Sequence, residues 1–277
     1  MQSTPLPLTR ITASSTRFDL ELAELVEYRE LIAFLIWRDI KVRYKQTTLG
    51  VLWAWLQPVL TMIVFTVVFG RLAHLPSDGL PYPIFTLAAL LPWQLFSSAV
   101  SGSANSLVGS GSLITKVYFP RLIVPLSAVL ATVVDFAVSF VVLLALMAYY
   151  HIAPTAHVVY LPLFILLALA ASFAAGLWCS ALNVQYRDVQ YVLPFVLQIW
   201  LFASPVGYSA SLVTSPLARA VFGLNPMAGV IQGFRWSLLG AAAPSWLILP
   251  SVVVVAALLV GGLLFFKRME QSFADVI

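Results

Sequence analysis

From residue 49 onward, apolar residues come in runs too long for either face of a soluble fold. The runs cover residues 49–73, 84–108, 122–150, 158–183, 191–208 and 246–266. A helix needs about 20 predominantly apolar residues to cross a hydrocarbon core roughly 30 Å thick. The pattern therefore predicts an all-α membrane protein with six transmembrane helices and a transmembrane domain over 49–266. An even number of crossings places both chain ends on one side. Ahead of the first run the pattern changes. Glu27, Glu30, Arg38, Lys41 and Lys45 follow three- and four-residue steps along one face, while Leu22, Leu25, Val26, Ala33, Ile36, Trp37, Ile40 and Tyr44 fall on another. That periodicity, with acids early and bases late, predicts an N-terminal amphipathic interfacial helix over 19–48. The apolar stretch at 31–37 is too short to be a span. Residues 1–18 read as a flexible tail, polar and rich in Pro, Thr and Ser, so insertion is expected to use the spans themselves. Residues 267–277 read as a second tail.

The linker between the fifth and sixth runs breaks the pattern. Residues 210–243 are too apolar for a free loop, yet Pro216, Gly223, Pro226, Gly229 and Gly233 interrupt any further span. Re-entrant outer helices between the fifth and sixth spans satisfy both facts, because irregular backbone at membrane depth must be covered by protein or line a cavity. An amphipathic loop on the outer surface is the alternative. The sequence contains no convincing internal repeat.

Composition sharpens the class. The 277 residues are 61% hydrophobic and 9% charged, against about 45–50% and 25% in soluble domains. The net charge of +4 does not point to nucleic acid, because the bases flank apolar runs and form no stripe with stacking aromatics. Arg10, Arg17, Arg29, Arg38, Lys41, Arg43, Lys45, Lys116, Arg121, Arg187, Lys267 and Arg268 fall on the side of the N-terminus. Only Arg71, Arg219 and Arg235 of the 15 bases fall elsewhere. Cytoplasmic flanks accumulate Lys and Arg, so both termini are expected in the cytoplasm. Trp53 and Trp55 suit the adjoining interface.

Chemistry-bearing motifs are sparse. No G-x-x-x-x-G-K-[ST] phosphate loop occurs, and Gly109 and Gly111 lead to Lys116 without the Gly-Lys pair that such a loop requires. No paired-carboxylate or Cys/His motif appears, and the single Cys179 sits in an apolar run, so no catalytic, metal or cofactor-binding residue is expected. Asp135 is the one acid well inside a span, where burial unaided would cost about 2.5–3.5 kcal/mol. It is expected either at a subunit seam or pathway wall, or hydrogen-bonded locally to Ser127, Thr132 or Ser139. With no basic partner inside the membrane, a proton relay is not expected. Ser97, Ser98, Ser101, Gly102, Ser103, Ser106, Gly109, Ser110, Gly111 and Ser112 provide either close helix approach or a hydrated wall. Trp93, Phe96, Phe195, Trp200, Phe202 and Tyr208 gather toward the outer half, where aromatic rings could line a pathway for sugar or simply pack.

Three blocks carry a resemblance: LIWRDIKVRYKQTTLGVLWAWLQPVLTMIVFTVVFG, LPWQLFSSAVSGSANSLVGSGSLITKVYFPRLIVPLSAVLATVVDF, and YRDVQYVLPFVLQIWLFASPVGY followed by LNPMAGVIQGFRW. In order, from residue 31 to the end of the sixth run, they resemble the membrane subunit of ABC transporters that export polysaccharides such as O-antigen, capsule and teichoic acid. The resemblance implies a homodimer of six-span permeases in the cytoplasmic (inner) membrane, joined to two copies of a separate ATPase that holds ATP and Mg. It implies a lipid-linked polysaccharide, most simply of O-antigen type, as cargo. ATPase contacts are expected at Arg38, Lys41 and Arg43 on the interfacial helix and at Lys116, Tyr118, Phe119, Pro120 and Arg121 in the loop before the third span, while the turn with Arg187 and Asp188 is either a third such contact or a gate brace. Asn225, Pro226 and Met227 would belong to the outer gate. Export of a drug or lipid by a related permease, and a membrane enzyme or assembly scaffold, are the competing classes.

Overall fold

A computed structural model of the chain describes residues 22–45, 52–213, 215–244 and 248–276. The N-terminal tail and the junction at 46–51 lie outside the described residues. Short helix α1 (Leu22–Glu27) turns at Tyr28 into α2 (Arg29–Lys45). Next come α3 (Leu52–Phe65), continued by a π-helical stretch Thr66–Leu72, then α4 (Tyr82–Gly109) and the single-turn α5 (Gly111–Lys116). Helices α6 (Ile123–Tyr149), α7 (Leu161–Gln185), α8 (Val189–Ala203), α9 (Pro216–Gly223), α10 (Pro226–Leu239) and α11 (Ile248–Val276) complete the chain.

Among the described residues, five stretches are long and apolar enough to cross a membrane: Leu52–Leu72, Tyr82–Gly109, Ile123–Tyr149, Ala156–Gln185 and Ile248–Glu270. Helix α8 has 15 residues, about 22 Å at 1.5 Å per residue, so as a helix it is short of a full crossing. The predicted span at 191–208 ends early because Ser204 caps the helix in extended backbone and the chain turns through residues 204–208. The predicted tail at 267–277 is instead helical to Val276, with Phe273 buried and meeting Phe266 edge-on at 5.2 Å.

Helix α4 is the axis of the bundle, with 17 of its 28 residues buried, packed mainly by α6 and α7. Small residues permit this closeness. A Cβ on Gly176 of α7 would lie 2.5 Å from Ser103 Oγ, and Asn183 of α7 donates to the Ala104 carbonyl at 2.9 Å. Ser103 therefore serves close packing, while Ser97, Ser98, Ser101 and Gly102, on another face of α4, line open space. The two readings of the small-residue stretch each hold for one face.

Two apolar cores result. The larger one joins α3, α4, α6, α7, α8 and α10 around Phe96, Phe136, Phe164 and Phe234. The smaller one, at the end that carries α2, gathers Leu35, Leu107, Ile114, Phe119, Ile123, Leu177, Phe266 and Phe273. Helix α1 joins it through Leu25, the turn through Tyr28, and α2 through Leu31, Ile32 and Leu35. That stripe differs from the predicted apolar face: Val26 and Trp37 are exposed, because α6 meets α2 from another side.

Residues 210–243 form two short helices, as the Pro and Gly interruptions predict. Pro226 starts α10 after Asn225, whose side chain accepts the Met227 N–H at 3.0 Å, the usual helix-start arrangement. Gly240, at φ +70°, ends it. Of the 14 residues of α10, 12 are buried, against α4, α7 and α11. Gly233 is required there, since a Cβ would lie 2.0 Å from the Phe164 ring.

Candidate functional site

Between α2, α3, α4 and α6 lies a groove of about 640 Å³. One wall carries Gln94, Ser97, Ser98, Ser101 and Asn105 from α4; α3 supplies Trp53 and Gln57; α6 supplies Thr132, Asp135, Phe136 and Ser139. Hydroxyl and amide groups recur along it at helical spacing, and two aromatic rings stand among them. Such a surface offers hydrogen bonds mostly from neutral groups and a ring face for C–H groups, so it suits hydroxyl-rich solutes.

The charge in the groove is neutralised locally. Arg43 ion-pairs with the Asp135 carboxylate, and Tyr44 donates its hydroxyl to the same group. Burial pushes the Tyr44 phenol above its ordinary pKa, outweighing the opposing effect of Arg43, so it stays a donor. Ser139 Oγ donates to two backbone carbonyls, Asp135 and Ala54, both at 2.9 Å, tying α6 to α3. The expected local hydrogen bonds from Ser127, Thr132 or Ser139 to the Asp135 carboxylate are not the ones formed: those hydroxyls bond backbone carbonyls, and the basic partner comes from α2, outside the spans.

The expected aromatic lining divides. Trp93 and Phe96 are buried in the main core, 5.6 Å apart, with Phe96 edge-on to Trp200 at 5.1 Å. These two pack the bundle and do not face the groove. Phe195 and Phe202 of α8 are exposed, Phe202 stacking on Phe65 at 6.4 Å, and Tyr208 lies half-buried against Phe222. The residues expected at an outer gate are knotted together: Trp200 Nε1 donates to Asn225 Oδ1 at 3.0 Å, and Asn225 Nδ2 donates to Ser204 Oγ at 2.9 Å. Pro226 and Met227 are buried behind it.

At the α2 end, Lys41, Lys116, Tyr118, Arg187 and Asp188 are exposed, Tyr118 at 72%. Phe119 and Pro120 are buried, and Arg121 turns inward, donating to the Glu270 carbonyl. These three hold the loop in place from beneath. Arg38 pairs with Asp39 at 2.9 Å and reaches Ser110 Oγ at 3.4 Å.

Sequence reasoning missed Arg235. It is 3% exposed, and its guanidinium donates to the carbonyls of Phe85 at 3.0 Å, Pro205 and Val206 at 2.7 Å each, and Tyr208 at 3.4 Å. Its Cζ also lies 3.4 Å from the Phe85 ring centroid. Tyr82 donates to the Gly207 carbonyl, and Ser209 donates to Asp78 at 2.8 Å. The turn at 204–209 is thus strapped to the start of α4. A lone base in an apolar stretch was the available signal, because such a charge must find partners.

The family model described as "ABC-2 type transporter" matches residues 30–239, from the start of α2 through α10. The chain belongs to the ABC-2 type transporter family. An O-antigen export system permease protein RfbA of Myxococcus xanthus is 32% identical over 92% of this chain and 98% of its own length. A protein of the same name from Klebsiella pneumoniae is 24% identical over 90% and 95%. The polysialic acid transport protein KpsM of Escherichia coli is 25% identical over 68% and 76%. As an ABC-2 type permease, the chain is a multi-pass membrane protein, and the stretch matched by the family contains every element that lines the groove.

Proposed function

We propose that this chain is the permease subunit of an exporter that moves a lipid-linked polysaccharide, of O-antigen type, out across the cytoplasmic membrane. The observation that carries the reading is its end-to-end similarity to an O-antigen export permease. The groove of serine, asparagine and glutamine side chains between α3, α4 and α6 agrees with a hydroxyl-rich cargo. Two copies form the working unit, with α3 and α8, which leave most of their apolar surface exposed, facing the seam. The turn at 204–208 completes the crossing begun by α8, giving six spans, and α9 with α10 re-enters from the outer side. Both termini face the cytoplasm. A separate ATPase binds ATP and Mg and docks on α2, the loop around Tyr118, and the Arg187–Asp188 turn; nucleotide moves the permease only through contacts that differ between its two states.

Deleting the gene is expected to empty the cell surface of the glycan and to accumulate lipid-linked polymer inside. A complementing Tyr118→Ala chain is expected to insert and fold but to restore little export and to retain little ATPase on purification. Unchanged surface glycan in the deletion, or ATP hydrolysis by the permease alone, would overturn the assignment.

A further inference from the structure

The contact of Arg43 and Tyr44 with Asp135 ties the interfacial helix to a spanning helix through an ion pair and a hydrogen bond to one carboxylate. It lies in the wall of the polar groove. Helix α2 also packs along α6 and reaches Ser110 through Arg38 at 3.4 Å, yet of its 17 residues only Leu35 is fully buried, and Phe34, Trp37 and Val42 are exposed. An element with so small a buried footprint moves at little cost. Asp135, by contrast, is fixed in the middle of α6, and its carboxylate in an otherwise uncharged groove is unfavourable without the guanidinium.

We propose that Arg43, Tyr44 and Asp135 form a latch by which α2 closes the near end of the groove, and that withdrawal of α2 opens it. This rests on the transport reading for its purpose, since α2 is the element on which the ATPase is placed. The latch favours the closed state by default: opening separates two charges, and no other cation lines the groove among the described residues. Opening therefore requires a force on α2, and the groove recloses when that force is released.

Access to the groove can be read without measuring export. In a Cys179→Ala background, Ser101→Cys places a single thiol on the groove wall. The complete complex in proteoliposomes is exposed, from the α2 side, to a charged, membrane-impermeant maleimide. Asp135→Asn and the pair Arg43→Gln with Tyr44→Phe are expected to speed labelling on the order of tenfold without nucleotide, the factor given by loss of about 1.4 kcal/mol of closed-state bias. The charge swap, Arg43→Asp with Asp135→Arg, is expected to return the slow rate. Should Asp135→Asn fail to insert, Arg43→Gln with Asp135→Asn removes both charges together and carries the same expectation. Equal labelling in parent and latch variants would overturn the proposal, as would a swapped chain that inserts normally yet labels as fast as the open variants. Failure of the export reading would appear separately, as unchanged surface glycan in the deletion strain.

Discussion

A guanidinium enclosed by backbone carbonyls is held by a fork of donors that no other side chain reproduces. At Arg235 those carbonyls belong to two separate segments, Phe85 at the start of α4 and residues 205–208 after α8. Arg235→Gln should leave several of them unsatisfied and cost about 3 kcal/mol; Arg235→Lys, with one ammonium on a different stem, should recover only part. Thermal unfolding in detergent, with proteolysis of the 204–213 segment as the local readout, checks both. The same residue marks where sequence reading fell short. Its isolation in an apolar stretch was legible, but its partners were not, because backbone carbonyls leave no trace in composition. Asp135 is the complementary case: the need for a partner was clear from its position, whereas Arg43 lies 92 residues away and had been assigned to a different surface.

At the scale of elements, the period of the sequence located the helices and the packing decided which faces they buried. Helix α4 was recognisable as a span, and its run of serines and glycines as unusual, yet one face of that run packs and another is open. Gly176→Ala should press a methyl group onto Ser103 and destabilise by about 1–3 kcal/mol. Adding Ser103→Gly should recover most of the loss, because the small residue has only changed helices. Unfolding midpoints of the three chains test this, and no recovery in the double variant would remove the contact from the account. Helix α2 teaches the same lesson: its turn spacing was legible, but several apolar stripes competed, and the one through Leu31 and Leu35 is turned inward only because the smaller core stands on that side.

At the scale of the molecule, the subunit leaves a continuous apolar stripe along α8, including Tyr191, Phe195, Ile199 and Phe202. Lipid or a second copy could cover it, and the proposed dimer places the stripe at the seam. With Cys179 replaced, Phe195→Cys should join two copies through a short bismaleimide in native membranes, yielding a species of twice the mass. Its absence, with the cysteine shown to be reactive, would put the seam elsewhere. The shortness of α8 also belongs to this scale: hydropathy counted the apolar residues after Ala203 with the helix, whereas Arg235 captures their carbonyls and so turns the backbone out of helical form.

The sequence by itself determined the membrane class, the order of the apolar helices and the breaks that make α9 and α10, because these follow from side-chain polarity counted along the chain; the family came from the likeness of particular sequence blocks to known permeases. Only the tertiary structure decided which serines pack and which face the groove, that Phe96 and Phe119 are buried, and that Asp135 and Arg235 are satisfied by distant residues. Each of those outcomes depends on which helix lies alongside which, and neighbours in space are not neighbours in sequence.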